Sequence, residues 1–301
     1  MPTGTVYGTG GGLYRVALDA GPVVDAFLRG KVKREALTGE RVVIGDRVRV
    51  EPAEGGFTLE SVEPRTRQVV RRGQGGRRAK VVAANVDALV VVTAARDPDP
   101  RLEAIDRLLV IAESDELRGV LVVNKVDLPE ARPAADELAR RYARAGYDVH
   151  LVSARTGEGL RELRAVLCRG TSALVGPSGA GKSSLLNALE PGLALRTGEL
   201  SRRGGQGRHT TVSARLIPLP GGGLVADTPG FGDVGLWGVD ADQLPGCFPE
   251  FRPFLEGCRF RGCSHVHEPD CAIRNAVEEG RVSAERYASY ALLREEALAA
   301  H

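Results

Sequence analysis

The most informative stretch of this 301-residue chain is Gly176-Pro177-Ser178-Gly179-Ala180-Gly181-Lys182-Ser183-Ser184. It fits G-x-x-x-x-G-K-[ST], the phosphate-binding loop of nucleotide-binding proteins. An apolar run at 172–175 precedes it, as a buried strand would, and residues 184–189 have a helical pattern. Glycines let the chain curl so that backbone N–H groups surround a phosphate chain, and the helix N-terminus adds positive potential. We therefore predict that the whole stretch binds nucleotide in an α/β domain.

Two side chains of this loop have predicted roles. The Lys182 ammonium can reach the β- and γ-phosphates, and the Ser183 hydroxyl can bind Mg²⁺. The alternative is a glycine-rich turn that fits the pattern by chance. The strand before the loop and the helix after it disfavour that alternative.

Length and composition indicate a globular protein of two or three domains. The net charge is only +2, but residues 1–80 carry 15 basic and 9 acidic side chains, against 26 and 30 in the remainder. This asymmetry favours a polyanion-binding surface near the N-terminus, with ordinary surface variation as the alternative. No segment reaches the length of a membrane span, and the first residues lack a signal-peptide pattern. We expect a cytoplasmic protein that does not contact a membrane.

Residues 1–64 are expected to form a small β-barrel of the OB type, because short apolar runs alternate there with Gly, Asp and Pro. We predict that Gly45-Asp46 is a hairpin turn between runs at 41–44 and 47–50. The barrel is expected to present one basic face to nucleic acid, although solvated arginines on an ordinary β-domain would look the same. The residues of this predicted face are Arg29, Lys31, Lys33, Arg34, Arg47 and Arg49.

Residues 65–80 hold seven basic side chains among glycines, and we predict a flexible basic linker there. From residue 81 the pattern changes to buried strands that alternate with helices. This alternation predicts a parallel sheet covered on both faces. The predicted strands are 88–92, 120–123 and 149–152, and the predicted helices are 102–113, 133–145 and 160–167.

Two motifs directly follow strands of this sheet, at the edge where such sheets bind ligands. The first is Asn124-Lys125-Val126-Asp127, and the second is Ser153-Ala154. The Asp127 carboxylate can accept two hydrogen bonds from guanine, whereas adenine would leave it unpaired. We expect Lys125 to lie along the base, Asn124 to brace the loop, and a backbone N–H of the second motif to meet the guanine carbonyl oxygen. GTP and GDP are therefore the predicted ligands, with Mg²⁺.

A polar stretch at 196–212 follows the phosphate loop, and we expect it to be mobile. Thr210 or Thr211 would be a second Mg²⁺ ligand. A predicted hairpin then ends in Asp227-Thr228-Pro229-Gly230, which has the form D-x-x-G. Asp227 would hold Mg²⁺ through water, and the Gly230 N–H would sense the γ-phosphate.

Phe231 stands where many GTPases carry a glutamine that orients the attacking water. Slow unassisted hydrolysis is the expected consequence. His209 is the candidate for positioning the water, and a surface histidine without a catalytic role is the alternative.

Near the C-terminus four candidate metal ligands follow the pattern C-x4-C-x-H-x5-C. They are Cys258, Cys263, His265 and Cys271. Three thiolates and one imidazole make a closed tetrahedral zinc site of the structural kind. His267 competes for the imidazole role, and cysteines without a metal are the alternative. Helices are predicted over about 271–279 and 284–299.

The motifs occur in an unusual order, because the base-reading motifs precede the phosphate loop and D-x-x-G comes last. Such a circular permutation is tolerated where chain termini lie close together. With the basic barrel before it and the Cys/His cluster after it, the chain resembles the ribosome small-subunit-dependent GTPase family (RsgA, also called YjeQ or YloQ) over about residues 1–290. The resemblance implies a GTP hydrolase of late small-subunit maturation that the subunit activates. It also implies the zinc spacing and the role of His209.

The predicted organisation is multidomain. It comprises an OB-type β-barrel at 1–64, a basic linker at 65–80, a circularly permuted P-loop GTPase domain at 81–236 and a mainly helical zinc-binding domain at 237–301. We expect a monomer whose partners are the small ribosomal subunit and its rRNA. Two alternatives stay open: an RNA-binding assembly scaffold in which GTP is only a conformational ligand, and a phosphate-loop ATPase, which Asp127 disfavours.

Overall fold

The computed structural model describes residues 1–28, 41–72, 79–193, 214–227 and 239–299. The strands in these ranges are β1 (Thr3–Gly10), β2 (Leu13–Leu18), β3 (Val23–Leu28), β4 (Arg47–Ala53), β5 (Gly56–Val62), β6 (Gln68–Arg72), β7 (Ala79–Ala84), β8 (Ala88–Ala94), β9 (Arg118–Asn124), β10 (Asp148–Leu151), β11 (Thr171–Val175), β12 (Arg215–Pro218) and β13 (Leu224–Asp227). The α-helices are α1 (Leu102–Ser114), α2 (Ala131–Arg144), α3 (Leu160–Leu167), α4 (Lys182–Leu189), α5 (Ala272–Glu278) and α6 (Ala284–Ala299). Short 3₁₀ helices cover Pro191–Leu193, Leu244–Cys247 and Pro249–Gly257.

The chain divides into two compact units. The first unit comprises Met1–Ala88, Ala165–Leu174 and Gly198–Phe231, and the second comprises Leu89–Arg164, Val175–Thr197 and Gly232–His301. Within the described ranges, no helix combines the length and apolar character needed to cross a membrane.

The N-terminal strands of the first unit close into a five-stranded barrel. Strand β1 pairs with β2 and with β4, β2 pairs with β3, and β5 pairs with both β3 and β4. Alternate residues of these strands point inward, as the two-residue period of a strand requires. Their fully buried core residues are Val6, Val16, Ala26, Val48, Val50 and Leu59. The predicted OB-type barrel is confirmed.

The turn at Gly45-Asp46 exists, but the predicted hairpin around it is wrong. Residues 41–44 do not pair with β4; Ile44 instead forms an isolated bridge with Ala83. The buried Asp46 carboxylate explains the difference, because it accepts the Val43 N–H at 2.8 Å and the Arg65 Nε–H at 2.7 Å. These bonds fold residues 43–46 around the carboxylate and leave no ladder for a hairpin.

The predicted flexible linker at 65–80 is also wrong for its described residues. Strands β6 and β7 pair antiparallel in this segment. Val69 and Ala83 are buried on them, so apolar residues on one face hold the hairpin in place. The sequence pattern missed these strands because arginines and glycines outnumber the few apolar positions. Residues 73–78 lie outside the described ranges.

Three further strands complete the first unit. Strand β13 pairs in parallel with β11 and antiparallel with β12, and β12 meets β1 through Gly8 and Arg215. The hairpin predicted before D-x-x-G is thereby confirmed over β12 and β13. Asp227 is the last residue of β13, and its carboxylate lies 3.6 Å from the Arg215 Nε.

The second unit contains the predicted alternation of strands and helices. Strands β8, β9 and β10 are neighbours in the order β10-β9-β8, and β9 and β10 run parallel. Every residue of β8 is buried, as expected for a strand covered on both faces. The carboxyl ends of β9 and β10 lead directly into the two predicted base-reading motifs.

Arg286 of α6 ties the helices of the second unit together. It is only 1% exposed, and its guanidinium donates to Asp106 Oδ1 and to Glu250 Oε1 at 2.6 Å each. Tyr142 of α2 also donates to Asp106 Oδ1, at 2.6 Å. The rings of Tyr142 and Phe248 lie 5.5 and 4.6 Å from the guanidinium carbon. One buried cation therefore joins α6 to α1, to α2 and to the segment Pro249–Gly257.

Replacing this cation should be costly, because two carboxylates would stay buried without their partner. We expect Arg286→Met to lower the free energy of unfolding by about 3–5 kcal/mol, measured by urea denaturation. Arg281→Met is the matched control. Arg281 also lies over an aromatic ring, Phe254, and pairs with Glu279, but it is exposed, so its loss should cost less than about 1 kcal/mol. Equal losses in both variants would show that the buried network does not have this role.

Candidate functional site

The phosphate loop lies between β11 and α4, as the sequence predicts. Its three glycines all have positive φ, with values of 138° at Gly176, 83° at Gly179 and 89° at Gly181. Close contacts add to this backbone requirement. A Cβ at Gly176 would lie 2.1 Å from Val92 O, and one at Gly181 would lie 2.4 Å from Asn124 Nδ2. No larger residue fits these two positions without displacing its neighbours.

Lys182 begins α4 and turns its side chain back over the loop. Its Nζ donates to Gly176 O at 2.7 Å and to Pro177 O at 2.9 Å. The ammonium therefore lies within the curve of the loop. Ser183 and Ser184 follow on the first turn of the helix. An ammonium, hydroxyl groups and a helix N-terminus together make a site suited to a phosphate chain.

Asn124 connects the phosphate loop to both base-reading motifs. Its side chain is almost completely buried, and its Nδ2 donates to Ala180 O at 3.0 Å. Its Oδ1 accepts the Ala154 N–H at 3.2 Å. Three segments that are far apart in the sequence thus converge on one amide. The structure brings the predicted residues 124–127, 153–154 and 176–184 together.

Both oxygens of the Asp127 carboxylate have donors. The Ser153 hydroxyl donates to Oδ1 at 2.5 Å, and the Arg155 Nε–H donates to Oδ2 at 2.6 Å. These bonds, that of Ser153 first, lower the pKa of Asp127 and keep it an ionised acceptor. Arg155 was not predicted from the sequence, because one arginine after Ser153-Ala154 has no distinctive spacing.

The neighbouring residues fix the loop that carries Asp127. Val126 is buried, and its N–H donates to Val152 O at 3.3 Å. Lys125 has a φ of 64°, and its Nζ donates to Asp97 O. The N–H groups of the second motif are engaged as well: Ser153 donates to Glu158 O at 3.0 Å, and Ala154 donates to Asn124. A guanine oxygen at this point would share the Ala154 N–H with Asn124.

Several predicted residues lie outside the described ranges. They are Arg29, Lys31, Lys33, Arg34, His209, Thr210, Thr211, Gly230 and Phe231. Of the predicted basic face, Arg47 and Arg49 are described. Arg47 donates to both oxygens of Asp19 at 2.6 Å, which lowers the pKa of Asp19 to about 2, and Arg49 lies 3.7 Å from Glu63. Acidic neighbours therefore offset part of the positive charge on this side of the barrel.

The four predicted zinc ligands form a compact cluster in the second unit. Their ligand atoms all lie within 4.8 Å of one another. His265 Nδ1 is 3.4 Å from the Sγ of Cys258 and 3.4 Å from that of Cys271, and these two sulfurs are 4.0 Å apart. A tetrahedral ion with Zn–S of about 2.3 Å and Zn–N of about 2.0 Å places sulfurs about 3.8 Å apart and sulfur and nitrogen about 3.5 Å apart. The cluster fits zinc.

Two tyrosines of α6 hold the loop that carries His265. Tyr287 donates its hydroxyl to His265 O at 2.8 Å, and Tyr290 donates to Ser264 O at 2.6 Å. Burial raises the pKa of the Cys263 thiol, so a bound cation would be needed to stabilise its thiolate. His267 is 82% exposed and does not belong to the cluster, which decides between the two candidate histidines.

Comparison with known proteins agrees with this arrangement. The model of the family described as "RsgA GTPase" matches residues 62–237. The chain is 49% identical to a protein of Gemmatimonas aurantiaca over 98% of this chain and 97% of the relative. It is 42% identical to a protein of Moorella thermoacetica over 95% of this chain and 94% of the relative. Both relatives carry the name "Small ribosomal subunit biogenesis GTPase RsgA".

The chain belongs to the RsgA GTPase family. Two crystal structures are similar over nearly the whole chain. YjeQ from Thermotoga maritima has a TM-score of 0.82 at 34% identity, covering 99% of this chain and 98% of its own. YloQ, described as a circularly permuted GTPase, has a TM-score of 0.78 at 30% identity, covering 100% and 96%. The predicted family, the permuted GTPase fold and the GTPase activity class are confirmed, and the family implies a guanine nucleotide and Mg²⁺.

The close approach of Gly181 to Asn124 gives a test of the nucleotide site. We expect Gly181→Ala to weaken GDP binding at least about tenfold, because the new methyl group would displace the Asn124 amide from the loop. Gly157→Ala is the control. Gly157 also has a positive φ, of 87°, but its Cβ would meet nothing within 4 Å, so binding should change less than about threefold. Titration of a fluorescent GDP measures both, and equal effects would contradict the assignment.

The Cys/His cluster predicts one zinc ion per chain, which elemental analysis of the purified protein can count. Cys271→Ser should lose the zinc and unfold at a lower temperature, because structural zinc contributes directly to folding. Cys168→Ser removes a thiol that lies outside the cluster and should keep the full zinc content. Retention of zinc in Cys271→Ser would exclude this ligand set.

Proposed function

We propose that this GTPase acts in biogenesis of the small ribosomal subunit, hydrolysing GTP while bound to that subunit. The name shared by relatives at 49% and 42% identity supports the proposal, since the match covers nearly the full length of each relative. The structural observation that carries the nucleotide-binding part of the proposal is the Asn124 amide, which joins the phosphate loop to the two base-reading motifs. Such a link is expected of a site that binds base and phosphates together.

Guanine recognition is assigned to Asp127. Its ionised carboxylate can accept the ring N–H and the exocyclic amine of guanine together, a pair of donors that adenine lacks. Asn124 and Val126 position the loop, and Lys125 lies beside it. Ser153 fixes one oxygen of the carboxylate, so it orients the group that reads the base.

The phosphate loop, Gly176 to Ser184, is assigned to the phosphate chain. Lys182 supplies the cation that neutralises the β- and γ-phosphates, and backbone N–H groups at the start of α4 supply donors. Ser183 would hold Mg²⁺ together with Thr210 or Thr211 and, through water, Asp227. When bound, Mg²⁺ draws charge from the phosphate oxygens. Gly230 is proposed to sense the γ-phosphate, and His209 to position the attacking water.

The remaining parts of the proposal concern binding and architecture. We assign rRNA contact to the barrel and to the basic segment 65–80, and a single structural zinc to the Cys/His cluster. The protein is proposed to work as a monomer in the cytoplasm. The proposed domain ranges are those predicted from the sequence, 1–64, 65–80, 81–236 and 237–301. Strand β6 lies in the second range, and β7 spans the boundary between the second and the third.

The direct test is steady-state GTP turnover with and without purified small ribosomal subunits. We expect slow turnover alone and strong stimulation by the small subunit, because Phe231 replaces the usual water-orienting glutamine. Two controls accompany this assay. Large ribosomal subunits should not stimulate GTP turnover, and ATP should not be turned over. Equal stimulation by large subunits would refute the proposed partner. Absence of stimulation would also refute it, and would favour a scaffold that uses GTP only as a conformational ligand.

A further inference from the structure

The Arg155 side chain occupies the carboxylate that the proposed function assigns to guanine. Its Nε–H lies 2.6 Å from Asp127 Oδ2, while Ser153 holds the other oxygen. The two partners differ in exposure: the side chain of Asp127 is 9% exposed and that of Arg155 is 73% exposed. The Asp127 carboxylate is therefore a nearly buried acceptor, whereas the Arg155 guanidinium is an exposed donor that can move away into solvent.

Arginine and guanine offer this acceptor the same chemistry. A guanidinium presents N–H donors in a planar fork, and the edge of guanine presents its ring N–H and its amine in a similar plane. Each carboxylate oxygen can accept two hydrogen bonds in its plane. Ser153 is buried and holds Oδ1 from the protein side, whereas Arg155 is exposed and holds Oδ2 from the solvent side, from which a base must also approach. A guanine that pairs with both oxygens therefore needs the position at Oδ2 that Arg155 occupies.

We propose that Arg155 competes with the guanine base for Asp127 and so sets the affinity for guanine nucleotides. The inference rests on the proposed function, since it requires that Asp127 reads the base. Arg155 reduces the fraction of molecules whose carboxylate is open to guanine, and it takes back the carboxylate when the base leaves. An affinity kept below its maximum favours release of GDP after each turnover.

The size of the effect follows from the exposure of Arg155. Exposed ion pairs contribute little, so their competition changes affinity only about two- to fivefold. Salt screens such a pair, and the effect should shrink as ionic strength rises. Guanine can therefore displace Arg155 readily. The displacement still makes the affinity for GDP measurably lower than it would be without Arg155.

The test is equilibrium titration of the full-length protein with fluorescent GDP at low and high salt. Arg155→Ala should bind GDP about two- to fivefold more tightly than the unmodified chain at low salt, and the ratio should approach one at high salt. Arg161→Ala is the matched control, because Arg161 is also exposed and pairs with Glu162 on α3. It should leave GDP affinity unchanged. Weaker or unchanged GDP binding by Arg155→Ala, with a normal unfolding temperature, would overturn the proposal.

Asp127→Ala separates failure of this inference from failure of the proposed function. If Asp127 reads guanine, Asp127→Ala should weaken GDP binding strongly, and adding Arg155→Ala to it should have no further effect. Unchanged GDP binding by Asp127→Ala would refute base reading itself. Strong weakening by Asp127→Ala, together with no gain from Arg155→Ala, would refute only the competition.

Discussion

The nucleotide site depends on one buried amide. Asn124 uses its donor on the phosphate loop and its acceptor on the loop after β10, and its backbone oxygen accepts the Ala95 N–H at 2.8 Å. A buried amide that loses a partner pays the full desolvation cost, about 1–3 kcal/mol, so these segments are held to one arrangement. The constraint is spatial and does not depend on the order of the segments along the chain. This is why a circularly permuted sequence can build the same constellation.

Helix α6 provides a second constraint, in the C-terminal part of the same unit. Arg286 faces the carboxylates of Asp106 and Glu250, while Tyr287 and Tyr290 hold the backbone beside the zinc ligand His265. Successive turns of one helix therefore contact the GTPase helices and the metal loop. The buried cation has its charge matched by two carboxylates and its faces covered by aromatic rings, which lets a group that is costly to bury stay inside. The metal loop and helix α1 are thus linked through one helix.

The sequence predicted those features that depend on local spacing. The phosphate loop, the strand-end motifs, the zinc ligands and the bounds of α1, α3 and α6 all follow from residues that are close in the chain. Features that depend on distant partners were missed or wrong. The segment 41–44 does not form a hairpin because Asp46 bonds to Arg65, and β6 and β7 exist because Val69 and Ala83 are buried. The contacts of Arg155 and Arg286 could not be predicted from spacing, because each arginine pairs with a carboxylate that is distant in the sequence.

The base preference of Asp127→Asn is the most direct test of guanine reading by Asp127. Xanthine carries an oxygen where guanine carries its exocyclic amine, so an asparagine amide can donate where the aspartate accepted. If Asp127 reads the base, the unmodified protein prefers GDP to xanthosine diphosphate, and Asp127→Asn reverses this order. An Asp127→Asn variant that folds normally and still prefers GDP to the same degree would contradict base reading by Asp127.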